Sequence, residues 1–180
     1  MKLKELYKEK VLPALKDEFG YTNSHAVPRL EKVVVHIGVG KDLRDAKALE
    51  TALETLRRIT GQEPVKTLAK KSIANFKTRK GMVLGLKVTL RGARMYDYLE
   101  KLVNVALPRV RDFRGLNPKI IDKTGSATIG FKEHLAFPEI RNDEVERVHG
   151  LEVIIQSTAK NKAEGFALLK YLNFPFGDKN

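Results

Sequence analysis

The sequence predicts an α+β fold, a mostly antiparallel sheet with helices packed on one face, and three observations lead there. Apolar residues recur every third or fourth position in some segments and every second in others, so helices and strands both occur. These segments follow the order helix, then β-α-β-β-α-β-β-α, which contains the split β-α-β pattern of ferredoxin-like folds. Of 180 residues 42% are hydrophobic and none is Cys, so a core can form without staples. No repeat, low-complexity tract or linker marks a boundary, and residues 1–180 are read as a single domain.

Leu3, Leu6, Tyr7 and Val11 lie at helical spacing, Pro13 opens a second short turn through Phe19, and Gly20 is the stop signal. Residues 30–39 form a β-branched strand with Val33, Val35, Ile37 and Val39 on a dry face and Lys32, Val34 and His36 on the other. Ala48 to Ile59 follow helical periodicity until Gly61, and residues 65–69 form a short strand. The cleanest alternation is at 84–91, with Leu84, Leu86, Val88 and Leu90 facing the core and Gly85, Lys87, Thr89 and Arg91 facing away. A helix with Met95, Leu99, Leu102 and Ala106 on one side ends at Pro108, and an irregular stretch runs to about 125. Strands at 126–131 and 151–158 precede a last helix, for which Asn161 and Glu164 resemble a capping box.

Charge decides the class of partner. The chain carries 34 Lys+Arg against 22 Asp+Glu, a net charge of +12. Between Glu63 and Asp97 lie 33 residues without an acid, containing Lys66, Lys70, Lys71, Lys77, Arg79, Lys80, Lys87, Arg91 and Arg94, so +9 of the +12 is local. A short basic run is usually a solvated face. One this long implies a polyanionic partner. The stretch at 70–85 joins two strands by more residues than a hairpin needs, and its five cations flank Phe76, a composition suited to phosphate contacts plus stacking. Like charges repel, so this loop is expected to be poorly ordered alone and to order on RNA. The polar sheet face, with His36, Lys87, Thr89, Arg91 and Lys66, is the expected RNA platform.

Other chemistries are excluded on residues. Without Cys there is no disulfide framework, thiolate metal site or Cys nucleophile, which fits a reducing compartment. No apolar run approaches the roughly 18 residues of a membrane span, and the N-terminus lacks a signal-peptide core, so a soluble protein with no membrane partner is expected. Gly38-Val39-Gly40 follows a strand, but the third glycine of a dinucleotide turn is replaced by Leu43 and no P-loop Lys occurs. His25, His36, His134 and His149 are widely separated and show no metal-ligand spacing. No catalytic constellation is present, and no metal or cofactor is expected. A nucleotide-dependent enzyme is the least favoured rival. A free RNA-binding regulator or RNA chaperone is the main one.

Several strings are similar to those of a known family. They are KSIANFKTRKGM at 71–82, GLKVTLRGARMY at 85–96, LVNVALPRVRDFRGLNP at 102–118, FPEI at 137–140 and FPF at 174–176. From about residue 3 to 176 the chain resembles the fifth protein of the bacterial large ribosomal subunit, a family that binds 5S ribosomal RNA. The resemblance implies an α+β fold, no enzymatic activity, and a place in the central protuberance of the cytoplasmic ribosome. Its partners would be 5S rRNA, 23S rRNA and neighbouring central-protuberance proteins.

Residue by residue, it assigns 5S rRNA binding to His36, Gly38, Gln62, Thr67, Lys70, Lys71, Ser72, Lys87, Thr89 and Arg91. The basic loop would touch transfer RNA in the peptidyl site through Asn75, Phe76, Lys77, Arg79 and Lys80. A bridge to a basic protein in the small-subunit head would use Arg109, Arg111, Arg114, Arg141, Asp143, Glu144 and Glu146. Three positions depart from the family pattern. His36 stands where Asn is usual, Val83 where Pro follows Gly-Met, and Ile121 to Ala127 replace a Phe-Asp-Gly-Arg-Gly-Asn-Tyr turn.

Overall fold

The computed structural model describes residues 2–38, 46–141 and 148–177. Five strands, β1 (Leu30–Gly38), β2 (Val65–Leu68), β3 (Val83–Leu90), β4 (Ala127–Phe131) and β5 (Leu151–Ser157), form an antiparallel sheet in the order β2-β3-β1-β5-β4, with helices packed against it. The strands joined by helix α3 (Ala46–Thr60), β1 and β2, are separated by β3, which is the split pattern expected. Alternation sorts the faces: Val33, Val35 and Ile37 of β1 and Leu151, Val153 and Ile155 of β5 are buried, and their neighbours are partly exposed. By packing the residues fall into two compact units, Met1–Val33 with Leu90–Ile129 and Ile154–Asn180, and Val34–Thr89 with Gly130–Val153.

In the first unit the N-terminal helix is continuous. It runs as α1 (Leu3–Leu6), a π-helical turn (Tyr7–Val11) and α2 (Leu12–Phe19), and Pro13 does not restart it. Its buried residues, Leu3, Tyr7, Val11 and Leu15, are four apart, which drifts about 40° per step around an α-helix. The wider π turn reverses that drift. It also bonds Leu12 N–H to the Tyr7 carbonyl just before the proline, whose nitrogen has no donor. Gly20, at φ 66°, ends the helix. Tyr7 Oη donates to the Pro28 carbonyl at 3.0 Å, and burial pushes this phenol up to about 12.

Helix α4 (Gly92–Lys101) likewise continues through a π segment, Leu102–Ala106, and ends at Leu107–Arg109. Helix α5 (Lys162–Tyr171) starts at Asn161, whose Oδ1 accepts the Glu164 N–H at 2.9 Å. The return bond of the capping box is shifted by one residue, because the Glu164 carboxylate accepts from Lys160 N–H. At the departing turn, Asp122 accepts from the N–H groups of Thr124 and Ser126 and from the Thr124 hydroxyl. Burial opposes its charge, but these bonds outweigh it and hold the carboxyl below the usual range.

In the second unit α3 buries Ala52, Leu56 and Ile59 and ends at Gly61, whose φ is 66°. Its outer face is a mixed-charge network in which Arg57 pairs with Glu54 and Glu63, and Arg58 with Glu54. Strands β2 and β3 pair Val65 with Lys87, Lys66 with Leu86 and Thr67 with Gly85, and the register then slips so that Leu68 meets Val83. Two expectations are corrected here. Leu84 is the residue displaced by the slip, so it is 41% exposed instead of buried with Leu86. Lys66 sits opposite buried Leu86, so it shares that face and not the face of Lys87.

The histidines that the sequence separates by 15 positions meet in this unit. The rings of His134 and His149 stack at 4.0 Å, and His134 Nδ1 accepts the His149 N–H. Burial, followed by the neighbouring His134, pushes His149 down to about 4, and burial lowers His134 as well. His134 is buried and His149 half-buried, with His149 Nε2 enclosed and without a hydrogen-bond partner.

Candidate nucleic-acid interface

The 5S candidates, Arg91 apart, lie in the second unit. His36 projects from the partly exposed face of β1 and lies over β3 at Gly85. A Cβ built on Gly85 would meet the Ile37 carbonyl at 2.7 Å, His36 Nε2 at 2.8 Å and Thr67 Oγ1 at 3.1 Å. Only glycine leaves room for the imidazole there, so Gly85 is the floor on which His36 and Thr67 converge. On its other side His36 Nδ1 is 3.9 Å from Glu152 Oε2 of β5. Neither Gly85 nor Glu152 is among the residues assigned from sequence. A glycine inside a β-rich run was the available signal for the first. The second depends on the pairing of β1 with β5, which local sequence does not encode.

Lys87 is exposed two residues further along β3, directly across from Val65, which is 59% exposed. Thr89 is half-buried, and its carbonyl accepts from Gln62 Nε2 at 3.2 Å. One end of the Gln62 amide therefore secures the strand, leaving its oxygen for a ligand. Arg91 lies one residue past β3 as the N-cap of α4, in the first unit, so it is not the strand position that alternation predicts. Gly38 ends β1. Its companions Val39 and Gly40 lie outside the described residues.

The basic loop between β2 and β3 carries internal structure that its composition does not announce. Ala69 N–H bonds the Met82 carbonyl and Gly81 N–H the Ala69 carbonyl, which closes the base. Ser72 Oγ then accepts from Lys80 N–H at 2.9 Å, and Ile73 and Thr78 exchange backbone bonds at 3.0 and 3.2 Å. The tip is a four-residue turn, Ala74 to Lys77, closed by Lys77 N–H to the Ala74 carbonyl with Lys77 at φ 50°. Asn75, Phe76 and Lys77 thus stand at the apex and Arg79 and Lys80 on the return leg, with Phe76 69% exposed. Among the described residues no carboxylate pairs with Lys66, Lys70, Lys71, Lys77, Arg79, Lys80 or Lys87. Their charge is available to an external anion.

The bridge candidates divide. Arg109, Arg111 and Arg114 are exposed on a loop of the first unit, and Arg141 is exposed in the second. Asp143, Glu144 and Glu146 lie outside the described residues. In a recess lined by residues that include Glu50, Thr51, Glu54, Thr55, Arg58 and His134, the Thr51 and Thr55 hydroxyls donate to backbone carbonyls of α3, and no metal-binding cluster occurs among the described residues.

Comparison with known proteins shows the family. The family model described as ribosomal protein L5 matches residues 23–79, and the model for the C-terminal part of the same ribosomal family matches residues 83–176. The chain is 53% identical over 175 residues to large ribosomal subunit protein uL5 of Pelagibacter ubique, covering 97% of this chain and 95% of the relative. It is 53% identical over 175 residues to the uL5 of Natranaerobius thermophilus, covering 97% and 98%. Against the uL5 of Kosmotoga olearia the identity is 54% over 174 residues, covering 97% and 95%. With two family models spanning most of its length and relatives above half identity along nearly all of it, the chain belongs to the ribosomal protein L5 family.

Proposed function

We propose that this structural, non-enzymatic protein of the large ribosomal subunit binds 5S ribosomal RNA with the second unit's sheet face and the base of its basic loop, and so anchors 5S RNA in the central protuberance. The observation that supports this most is the set of carboxylate-free cations around a glycine-floored platform. Lys70, Lys71 and Lys87 supply phosphate contacts, and His36, Thr67, Gln62, Ser72 and Thr89 supply polar groups at fixed positions. Close backbone approach at Gly38 and an added contact from Arg91 complete the reading. If about six to eight phosphates are neutralised, log affinity falls with log salt at a slope of about −4 to −7.

The apex of the loop serves a second RNA. Asn75, Phe76, Lys77, Arg79 and Lys80 stand away from the sheet platform along the loop, with an exposed ring able to stack, and they contact transfer RNA in the peptidyl site. The bridge to a basic protein of the small-subunit head draws its charge complement from Asp143, Glu144 and Glu146, which follow Arg141 in the sequence, with Arg109, Arg111 and Arg114 as the second contact. Contacts with 23S rRNA and adjacent proteins follow from the same placement.

A gel-shift titration of purified protein against a 5S transcript, repeated over a salt series, tests the central claim. A shift with the stated slope is expected. No shift at low ionic strength rejects it.

A further inference from the structure

We infer that His36 is a stacking platform, receiving one unpaired nucleobase of the RNA on the outward face of its imidazole. This deepens the RNA-binding reading above and rests on it. The way the ring is laid down carries the inference. Gly85 alternates with buried Leu86, so a Cβ built on it marks a height just above the open face of the sheet. His36 Nε2 lies 2.8 Å from that point, and Cε1 lies 3.8 Å from the corresponding point at Gly38. The ring therefore lies low across β1 and β3 instead of standing up from them. Gly85 is buried although it belongs to the open face, because the imidazole covers it. On the remaining side Nδ1 faces Glu152 of β5 at 3.9 Å.

A ring whose edges point along the sheet shows its face to the outside. Nδ1, Cε1 and Nε2 each have protein beside them, yet 34% of the side chain stays exposed, so what remains open is the broad surface turned away from the strands. That surface fits a second flat π system, and RNA supplies one wherever a base is unstacked. Lys87 is exposed two residues along β3 on the same face, within reach of the phosphate of the stacked nucleotide. Every base has a π face, so this contact adds affinity without reading sequence. Glycine at 85 keeps the platform flat, since any side chain there would lift the ring on edge.

The test is 5S transcript binding by the full chain over a salt series. His36→Ala should weaken binding about five- to tenfold at every salt concentration, the low end for a base on an aromatic ring. The slope of log affinity against log salt should stay as it was, because no phosphate contact is lost, whereas Lys87→Ala should make it shallower by about 0.7 to 0.9. His36→Gln, with an amide near the place of Nε2 but no ring, should fall as far as alanine. His36→Phe, a ring without nitrogens, should stay within about twofold of the natural protein. The natural protein gives an independent readout, since a base stacked on the ring moves the His36 Cε1 proton upfield in its NMR spectrum when the transcript is added. Full affinity in His36→Ala, retention in His36→Gln with loss in His36→Phe, or an unmoved Cε1 proton overturns the inference and leaves the RNA reading standing. A natural protein that leaves the transcript unbound rejects that reading, and the inference with it.

Discussion

Two cationic loops of this molecule look alike in sequence and are held in opposite ways. Residues 70–82 set lysines and an arginine around Phe76, and residues 109–117 set three arginines around Phe113. The first is braced by its own backbone and side chains, through Ser72 to Lys80 and Ile73 to Thr78, and leaves its ring exposed. The second is stapled by the C-terminal segment. Leu116 N–H donates to the Pro175 carbonyl at 2.7 Å, Gly177 N–H returns to the Leu116 carbonyl, and Phe113 is half-buried. A self-braced loop can offer its apex to a ligand without disturbing the fold. A loop tied to a distant strand of chain transmits any change into the core.

The largest expected effect breaks the staple. Gly115 has φ 99°, and a Cβ there would run into the main-chain nitrogen and Cα of Gly177. Gly115→Ala should therefore cost about 3 kcal/mol, combining left-handed backbone strain with a clash against main chain that cannot yield. Thermal or denaturant unfolding measures it. Gly81, also left-handed at φ 85° but with open space around its Cβ position, should lose only about 1 kcal/mol as Gly81→Ala. Equal losses at the two glycines would mean that the two loops are held alike.

Charge reversal separates the loops by partner. Lys70→Glu with Lys71→Glu should weaken 5S RNA binding by about 2 kcal/mol, roughly 30-fold, and flatten the salt dependence. Arg111→Glu with Arg114→Glu should leave that affinity nearly unchanged. Comparable losses from both pairs would place 5S RNA across both loops and end the division of labour.

Much of this was legible in the chain and some was not, for physical reasons. Periodicity located β1, β3 and β5 and both halves of the N-terminal helix because burial repeats locally: Val33, Val35 and Ile37 report their face wherever the strand goes. The acid-free stretch likewise exposed the cationic face before any geometry. What stayed hidden depends on pairing between distant residues. The slip that ejects Leu84, the face of Lys66, the His134–His149 stack and the Gly115–Gly177 contact are each set by register or tertiary approach. The brace inside the basic loop was missed for another reason, since Ser, Thr and Lys there read as solvated polar residues until Ser72 is seen accepting from Lys80.

The two aromatic rings sharpen the contrast at smaller cost. Phe113→Ala should destabilise the protein by about 1 to 2 kcal/mol, as expected for a half-buried ring, whereas Phe76→Ala should change stability by less than about 0.5 kcal/mol. The same Phe76→Ala protein should keep its 5S affinity and lose about 1 kcal/mol in transfer RNA contact, the low end of base stacking on an aromatic ring. Chemical denaturation and ribosome-bound transfer RNA footprinting provide the two readouts.

The smallest effect probes the brace itself. Ser72→Ala removes the acceptor of Lys80 N–H and leaves the Ile73–Thr78 bridge in place, so about 0.5 to 1 kcal/mol of local stability should be lost without a change in global unfolding. Hydrogen exchange at the Lys80 amide should then quicken by roughly two- to fivefold, that loss expressed as a rate, while the amide of Leu116 in the stapled loop exchanges as before. Were Lys80 to exchange at the unprotected rate already in the natural protein, the first loop would have no brace of its own, and its apex would be presented by RNA rather than by the hydrogen bonds of the chain.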